Sequence, residues 1–252
     1  MRKFIRIFVK SVLALLLLSV AVLAAGVGWL VWHYDYEIEL PDHRQLANVV
    51  ASGQVCSSGG QHLVIPFAAI PSIVRIAFLA AEDPDFYRRP PFNPFTEFAR
   101  AALFNRRPSS PPLISNMVVR CLVAQSPVSS CRGIDWHICN LVLMHRIERD
   151  LGKDLIFDLY LNGIALGRGT FGVGAAADVY FGKSLTDLSL AEAAYIAGLP
   201  RSPNVYGRNL ERGTMRRNAV LDRMVETGTI SPAQAAAAKL QPLVLRDVAA
   251  PI

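Results

Sequence analysis

From Ser11 to Trp32 the chain carries no charged side chain. About 20 uncharged, mostly apolar residues are what a helix needs to cross a hydrocarbon core, where every backbone N–H and C=O must find its partner inside the helix. Arg2, Lys3, Arg6 and Lys10 precede the run. By the positive-inside rule, residues 1–10 are then a cytoplasmic basic segment, 11–32 a transmembrane anchor, and the remainder lies outside. Trp29, Trp32, Tyr34 and Tyr36 suit the outer interface, where amphipathic rings settle. A cleaved signal peptide is the rival reading, with Ala24-Ala25-Gly26 as its cleavage region. The apolar run exceeds the roughly 7 to 15 residues usual in such peptides, which favours a retained anchor.

Residues 33–66 read as a linker and lead-in segment, with a turn at Ser57-Ser58-Gly59-Gly60, and 67–252 as one domain. A hydrophobic content of 52% suffices for its core. The net charge of +6 fits an anionic partner: a membrane surface, a pyrophosphate or a nucleic acid. No interleaved basic and aromatic stretch is present, which argues against nucleic acid. Cys56, Cys121, Cys131 and Cys139 would meet an oxidising compartment, so disulfides are expected, with pairing open. Their scattered spacing lacks the short Cys-x-x-Cys pair of a metal site.

The segment from Pro71 to Glu82 has helical apolar spacing at Ile73, Ile76, Ala77 and Ala80, and Pro84 stops it. Glu82 thus sits at a helix C-terminus, where the negative end of the helix and the apolar neighbours Phe78 and Phe86 both raise its pKa toward the range of a base at neutral pH. By itself Glu82-Asp83 also fits a surface carboxylate pair ending a core helix. Farther on, 92–104 is a Phe-dense amphipathic helix, 108–112 a Pro-Ser loop, and Ile147–Asn162 a helix with Ile147, Leu151, Leu155 and Leu159 on one face. Glu148 and Lys153 fit helix-surface charges as well as working residues. Gly167-Arg168-Gly169-Thr170-Phe171-Gly172 spells G-x-G-x-x-G, with Asp187 about 20 residues on. It follows a helix rather than a buried strand, which excludes a dinucleotide site and leaves glycines for tight turns. Ser189 with Glu192 forms a capping box, Gly198 and Pro200 close that helix, Arg216-Arg217-Asn218 begins another, and Ser231-Pro232 opens the last.

Three strings then point one way. AAEDPDFY at 80–87, the long run from Leu159 to Tyr206, and RRNAVLDRMVETG from Arg216 together resemble glycosyltransferase family 51, over about Pro71 to Ala238. These are membrane-bound peptidoglycan polymerases that join the disaccharides of lipid II into glycan strands. The resemblance implies a mainly α, lysozyme-like domain behind one N-terminal transmembrane helix. It implies Glu82 as the catalytic base and Asp83, Ser115, Asn116, Arg120, Arg132 and Asn140 as substrate-binding positions. The 92–104 helix becomes a hydrophobic jaw against the bilayer, and the 108–112 loop the cover of the cleft.

The middle of the chain departs from the family. Leu113–Leu122 keeps only Ser115, Asn116 and Arg120 of a polar block, and Asn140 stands where the family carries a second glutamate. An amide neither gives nor takes a proton at neutral pH, which implies a weakened or abolished polymerase site. Arg132 matches a phosphate-contacting arginine, and His137 replaces a basic residue. No cofactor is certain; a divalent metal, Mg or Mn, with the pyrophosphate is what the family allows, and no protein-held metal is expected. The implied partners are lipid II and nascent glycan, the membrane, and other cell-wall synthesis proteins. The implied location is the bacterial inner (cytoplasmic) membrane, single-pass, with the domain periplasmic or extracellular. No Ser-x-x-Lys or Lys-Thr-Gly occurs, so no penicillin-binding transpeptidase domain is expected. The alternative to a polymerase is a catalytically inactive relative that binds lipid II or glycan as a scaffold; a glycan-cutting enzyme with one glutamate is a third, weaker reading.

Overall fold

The computed structural model describes residues 2–37, 59–104, 113–125 and 135–246. The chain forms two compact units, Met1–Leu40 and Pro41–Ile252. The first contains helix α1, Arg2–Glu37. Its stretch Phe4–Trp29 is long and apolar enough to cross a membrane, and its side chains are exposed. Trp29 stacks on His33, with 5.1 Å between ring centroids.

The second unit is mainly α, as the sequence implies. Its described strands and α-helices are β1 (Gln61–His62), α2 (Ser72–Glu82), α3 (Pro94–Leu103), α4 (Leu113–Gln125), α5 (Asp135–Asp150) and α6 (Lys153–Gly163). They are followed by β2 (Ala165–Gly167), β3 (Thr170–Phe171), α7 (Val173–Phe181), α8 (Leu190–Gly198), α9 (Pro203–Tyr206), α10 (Leu210–Glu226) and α11 (Pro232–Leu240). Helix α2 packs between α8 and α10. Small buried residues make this close packing feasible: Ala77 and Ala80 on α2 meet a helix lined by Ala193, Ala194 and Ala197. Gly198 at the end of α8 is needed for the same reason, since a Cβ there would lie 2.8 Å from Arg216 Cγ on α10.

Local chemistry sets the boundaries. The Ser189 and Ser231 capping boxes are both formed, opening α8 and α11. Two boundaries differ from the sequence reading. Ile147–Asn162 is not one helix: α5 ends at Asp150, and Gly152, in extended conformation (φ −64°, ψ 149°), caps the start of α6. Glycine is a poor helix former, so the chain turns there and the two helices pack on one another. Helix α10 begins at Leu210, because the Asn209 side chain accepts the Arg212 N–H at 2.9 Å, and Arg216 falls in its middle.

The glycine-rich stretch forms a hairpin: β3 pairs antiparallel with β2 and parallel with β1, in the order β1-β3-β2. Gly167 and Gly172 take φ of 83° and 80°, values that side-chain-bearing residues rarely adopt. Of the 33–66 lead-in, residues 33–37 continue α1, 38–58 lie outside the described residues, and 59–66 join the globular unit. Asn162 fastens them, accepting the Ile65 N–H at 2.9 Å and donating to the Ile65 carbonyl at 3.0 Å.

Arg217 closes the C-terminal end of the fold. It is 2% exposed and donates to the carbonyls of Ala238, Lys239 and Gln241 at the end of α11. Arg217→Met strips the donors from these carbonyls, and a loss of about 2–4 kcal/mol is expected. Urea denaturation should show a lower midpoint at unchanged slope.

Candidate active site

The end of α2 places Glu82. Asp83 leaves the helix (φ −153°), its N–H still donating to the Leu79 carbonyl at 2.9 Å, and Pro84 follows without an N–H to continue the ladder. Phe78 and Phe86 are fully buried beside this turn. Glu82 Oε1 is sealed from solvent with no hydrogen-bond partner among the described residues. Burial pushes the carboxyl up to about 7, against the Arg216 and then the Arg201 guanidinium, which pull it down. A carboxylate held there is half ionised near neutrality and can accept a proton. The Tyr160 hydroxyl on α6 is likewise buried and unpartnered among the described residues, its ring edge-on to Phe78 at 6.0 Å. Burial and the Glu82 charge raise its pKa well above the ordinary value, so it stays a protonated donor.

Behind this turn lies a buried charge network. Glu148 on α5 accepts from both terminal nitrogens of Arg89 at 2.7 Å, from Lys153 at 3.0 Å, from the Phe92 N–H at 2.9 Å and from the Ser115 hydroxyl. Burial alone would raise its pKa, but these donors hold it down to about 2. Arg89 also reaches Asp83 at 3.1 Å. Glu148 is thus no surface charge, and one guanidinium ties the Glu82-Asp83 turn to α5. Ser115, fully buried, braces Glu148 from α4.

Helices α4 and α5 carry the remaining candidates. Asn140 Nδ2 donates to Asn116 Oδ1 at 2.9 Å, while Asn140 Oδ1 is buried without a partner among the described residues. Arg120 is exposed on α4 and His137 on α5. Cys121 on α4 and Cys139 on α5 are each engaged in a disulfide. Arg132, Cys56, Cys131 and the 108–112 loop lie outside the described residues. Among the described residues, the groups near Glu82 do not gather a donor set for a protein-held divalent metal. Asp83 is committed to Arg89, position 140 offers only an amide, and no three His, Cys, Asp or Glu cluster among the described residues.

Sequence reasoning missed Arg89, Arg201, Arg216 and Tyr160. Tyr160, Arg201 and Arg216 stand in the strings that carry the resemblance, which was the one signal available. Arg89 is separated from Glu148 by 59 positions, and nothing local announces the pair.

The family model described as Transglycosylase matches residues 50–225. Penicillin-binding protein 1A of Rickettsia conorii is 34% identical over 260 residues, covering 94% of this chain and 32% of that protein. The Escherichia coli protein of that name is 36% identical over 241 residues, covering 89% and 28% respectively. The crystal structure of penicillin-binding protein 1A from Haemophilus influenzae superposes with a TM-score of 0.45 at 27% identity, over 75% of this chain and 19% of that one. The chain spans about a third of the length of the curated relatives it matches. Matched over more than half of its length, with the helix-ending glutamate inside the match, this chain belongs to the transglycosylase family.

Proposed function

We propose that this chain is a peptidoglycan glycosyltransferase that polymerises lipid II, with Glu82 as general base. Glu82 takes the proton from the acceptor hydroxyl as that oxygen bonds to the anomeric carbon of the donor, and the bond from that carbon to the pyrophosphate oxygen breaks. Arg120 and Arg132 hold the departing pyrophosphate by charge-assisted hydrogen bonds. The observation that carries this reading is the Glu82 carboxyl, sealed on one oxygen and poised near neutrality at the end of α2. A carboxyl poised near 7 would also serve a glycan-cutting enzyme as its acid, and it is the later strings, which fit polymerases, that decide between the two.

Asn140 supplies no proton to the leaving group, and its amide nitrogen is engaged by Asn116. Turnover then rests on the pyrophosphate being a good leaving group once its charge is met by arginine. The apolar α1 anchors the chain in the inner membrane with its N-terminus in the cytoplasm, and the disulfide-bonded cysteines fit an exported domain. Other cell-wall synthesis proteins are the partners this placement suggests.

The test is polymerisation of labelled lipid II by the full chain in detergent, beside Asn140→Glu. Glycan strands from the native chain are expected, and a rise of about tenfold or more in Asn140→Glu, which puts an ionisable carboxyl where the resembled family carries its second glutamate. Lipid II bound but never polymerised would replace the enzyme with a scaffold, the reading that Asn140 favours.

A further inference from the structure

Beyond Glu82, the turn before α9 carries Arg201 and helix α10 carries Arg212 and Arg216, and these differ from Arg168 and Arg217, whose guanidiniums are taken up by backbone carbonyls. Lys183, Arg223, Lys239 and Arg246 each face a carboxylate: Glu192, Glu226, Asp222 and Asp178. Among the described residues, Arg201, Arg212 and Arg216 have no acidic partner within ion-pair distance. Arg212 and Arg216 are four positions apart on α10, an arrangement in which like charges repel. They line one pocket of about 320 Å³ with Val205, Tyr206 and Met215, and no acid among the described residues lines it. Glu211, the nearest acid in sequence, stays outside its walls.

The pocket is open to solvent at Arg212, Val205 and Met215, and the fold fixes its inner wall at Arg216. Arg216 Nε donates to the Gly198 carbonyl at 3.3 Å, which fixes the side chain and leaves its two terminal nitrogens without an acceptor among the described residues. Gly198 must be glycine for the arginine stem to pass. The Tyr206 carbonyl is held by the Tyr195 hydroxyl at 2.9 Å, while its own hydroxyl has no partner among the described residues. Two guanidinium forks and a phenol against an apolar wall suit an oxyanion on a larger organic body, and arginine is the residue of choice for such planar recognition. Arg216 is also a cation that acts on Glu82, so the pocket and the base share a side chain.

We propose that this pocket is an oxyanion subsite for the acceptor, in which Arg212 and Arg216 take a phosphate or carboxylate group of the molecule whose hydroxyl faces Glu82. The assignment to the acceptor rests on the reading of Glu82 as the base, since the donor pyrophosphate is assigned to Arg120 and Arg132. An oxyanion on Arg216 offsets the pull of that guanidinium on Glu82 and makes the carboxylate a stronger base once the acceptor is seated.

Methyl NMR of the full chain in detergent micelles, labelled with [¹³C-methyl]methionine, reads the pocket directly. Met215 lines it and is assigned through Met215→Leu, while Met144 and Met224 are fully buried elsewhere and report on the fold. The probes are sodium pyrophosphate and N-acetylmuramyl dipeptide, with sodium chloride at equal ionic strength as control. A saturable Met215 shift is expected with one probe. Pyrophosphate would name the phosphate as the group bound, and the muramyl peptide the carboxylate. Arg212→Gln should weaken that binding about tenfold with the Met144 and Met224 signals unmoved. A Met215 signal unmoved by both probes at roughly 10 mM, or shifted equally in Arg212→Gln, overturns the subsite. Lipid II polymerisation by the same sample separates the two readings. An unmoved signal with active polymerisation removes the subsite and keeps the glycosyltransferase. Binding lost in Arg212→Gln without polymerisation does the reverse.

Discussion

Glu82→Gln is expected to lower lipid II polymerisation by about 10² to 10⁴, the span usual for loss of a general base, while leaving lipid II binding in place. The same substitution should leave the protein more stable at pH 8, not less. Burial raises the Glu82 pKa to about 7, so folding favours its protonated form. That contribution is complete below the unfolded value near 4.5 and is lost as pH rises through about 7. Above that, the ionised carboxylate is a cost, because Oε1 has no donor among the described residues. Glutamine removes the charge at nearly constant shape, and a gain of about 1–2 kcal/mol at pH 8 is expected, discounted for partial solvent access. Thermal melts of both proteins check it. Lost activity with a raised melting point separates a missing base from a broken fold, whereas a lowered melting point would mean that Glu82 supports the structure.

Glu148→Ala should be the most damaging substitution to stability, at about 3–5 kcal/mol. The glutamate side chain is inaccessible to solvent, and its removal leaves Arg89 and Lys153 confronting each other without the carboxylate that joins them. The turn after Glu82 loses its tie to α5 at the same time, so activity should fall even in molecules that remain folded. The pH dependence has a definite sign. Glu148 is depressed to about 2 from an ordinary 4.5, so its contribution is complete above about 4.5 and disappears as pH falls toward 2. The native protein should therefore lose stability across that acid window, and Glu148→Ala should lack that part of the transition. Urea denaturation at pH 7 and pH 3 measures both effects. Equal stability of the two proteins at pH 7 would mean that the network contributes nothing net.

The sequence made legible what local chemistry decides. Pro84 ends α2 where its missing N–H predicts, and Ser189 and Ser231 open α8 and α11 through the capping boxes their spacing spells. The uncharged run from Ser11 to Trp32 reads as a spanning helix, and α1 has that length and exposure. Long-range pairing stayed hidden. Glu148 lies on a charged helical stretch and looks solvated until Arg89, Ser115 and the Phe92 N–H converge on it from other elements. Arg216 acts on Glu82 from α10, whose close approach to α8 at Gly198 has no counterpart in spacing along the chain. The break at Gly152 was masked by apolar periodicity that runs unbroken from Ile147 to Leu159. There, side-chain pattern and backbone preference disagreed, and the backbone decided.

The most direct test of Glu82 as the base is the initial rate of lipid II polymerisation by the full chain between about pH 5 and 9, at substrate well below saturation. A base must be ionised to act, so the rate should fall about tenfold per pH unit below an apparent pKa near 7 and level off above it. Polymerisation that continues undiminished to pH 5 would contradict the assignment and move the proton transfer to another group.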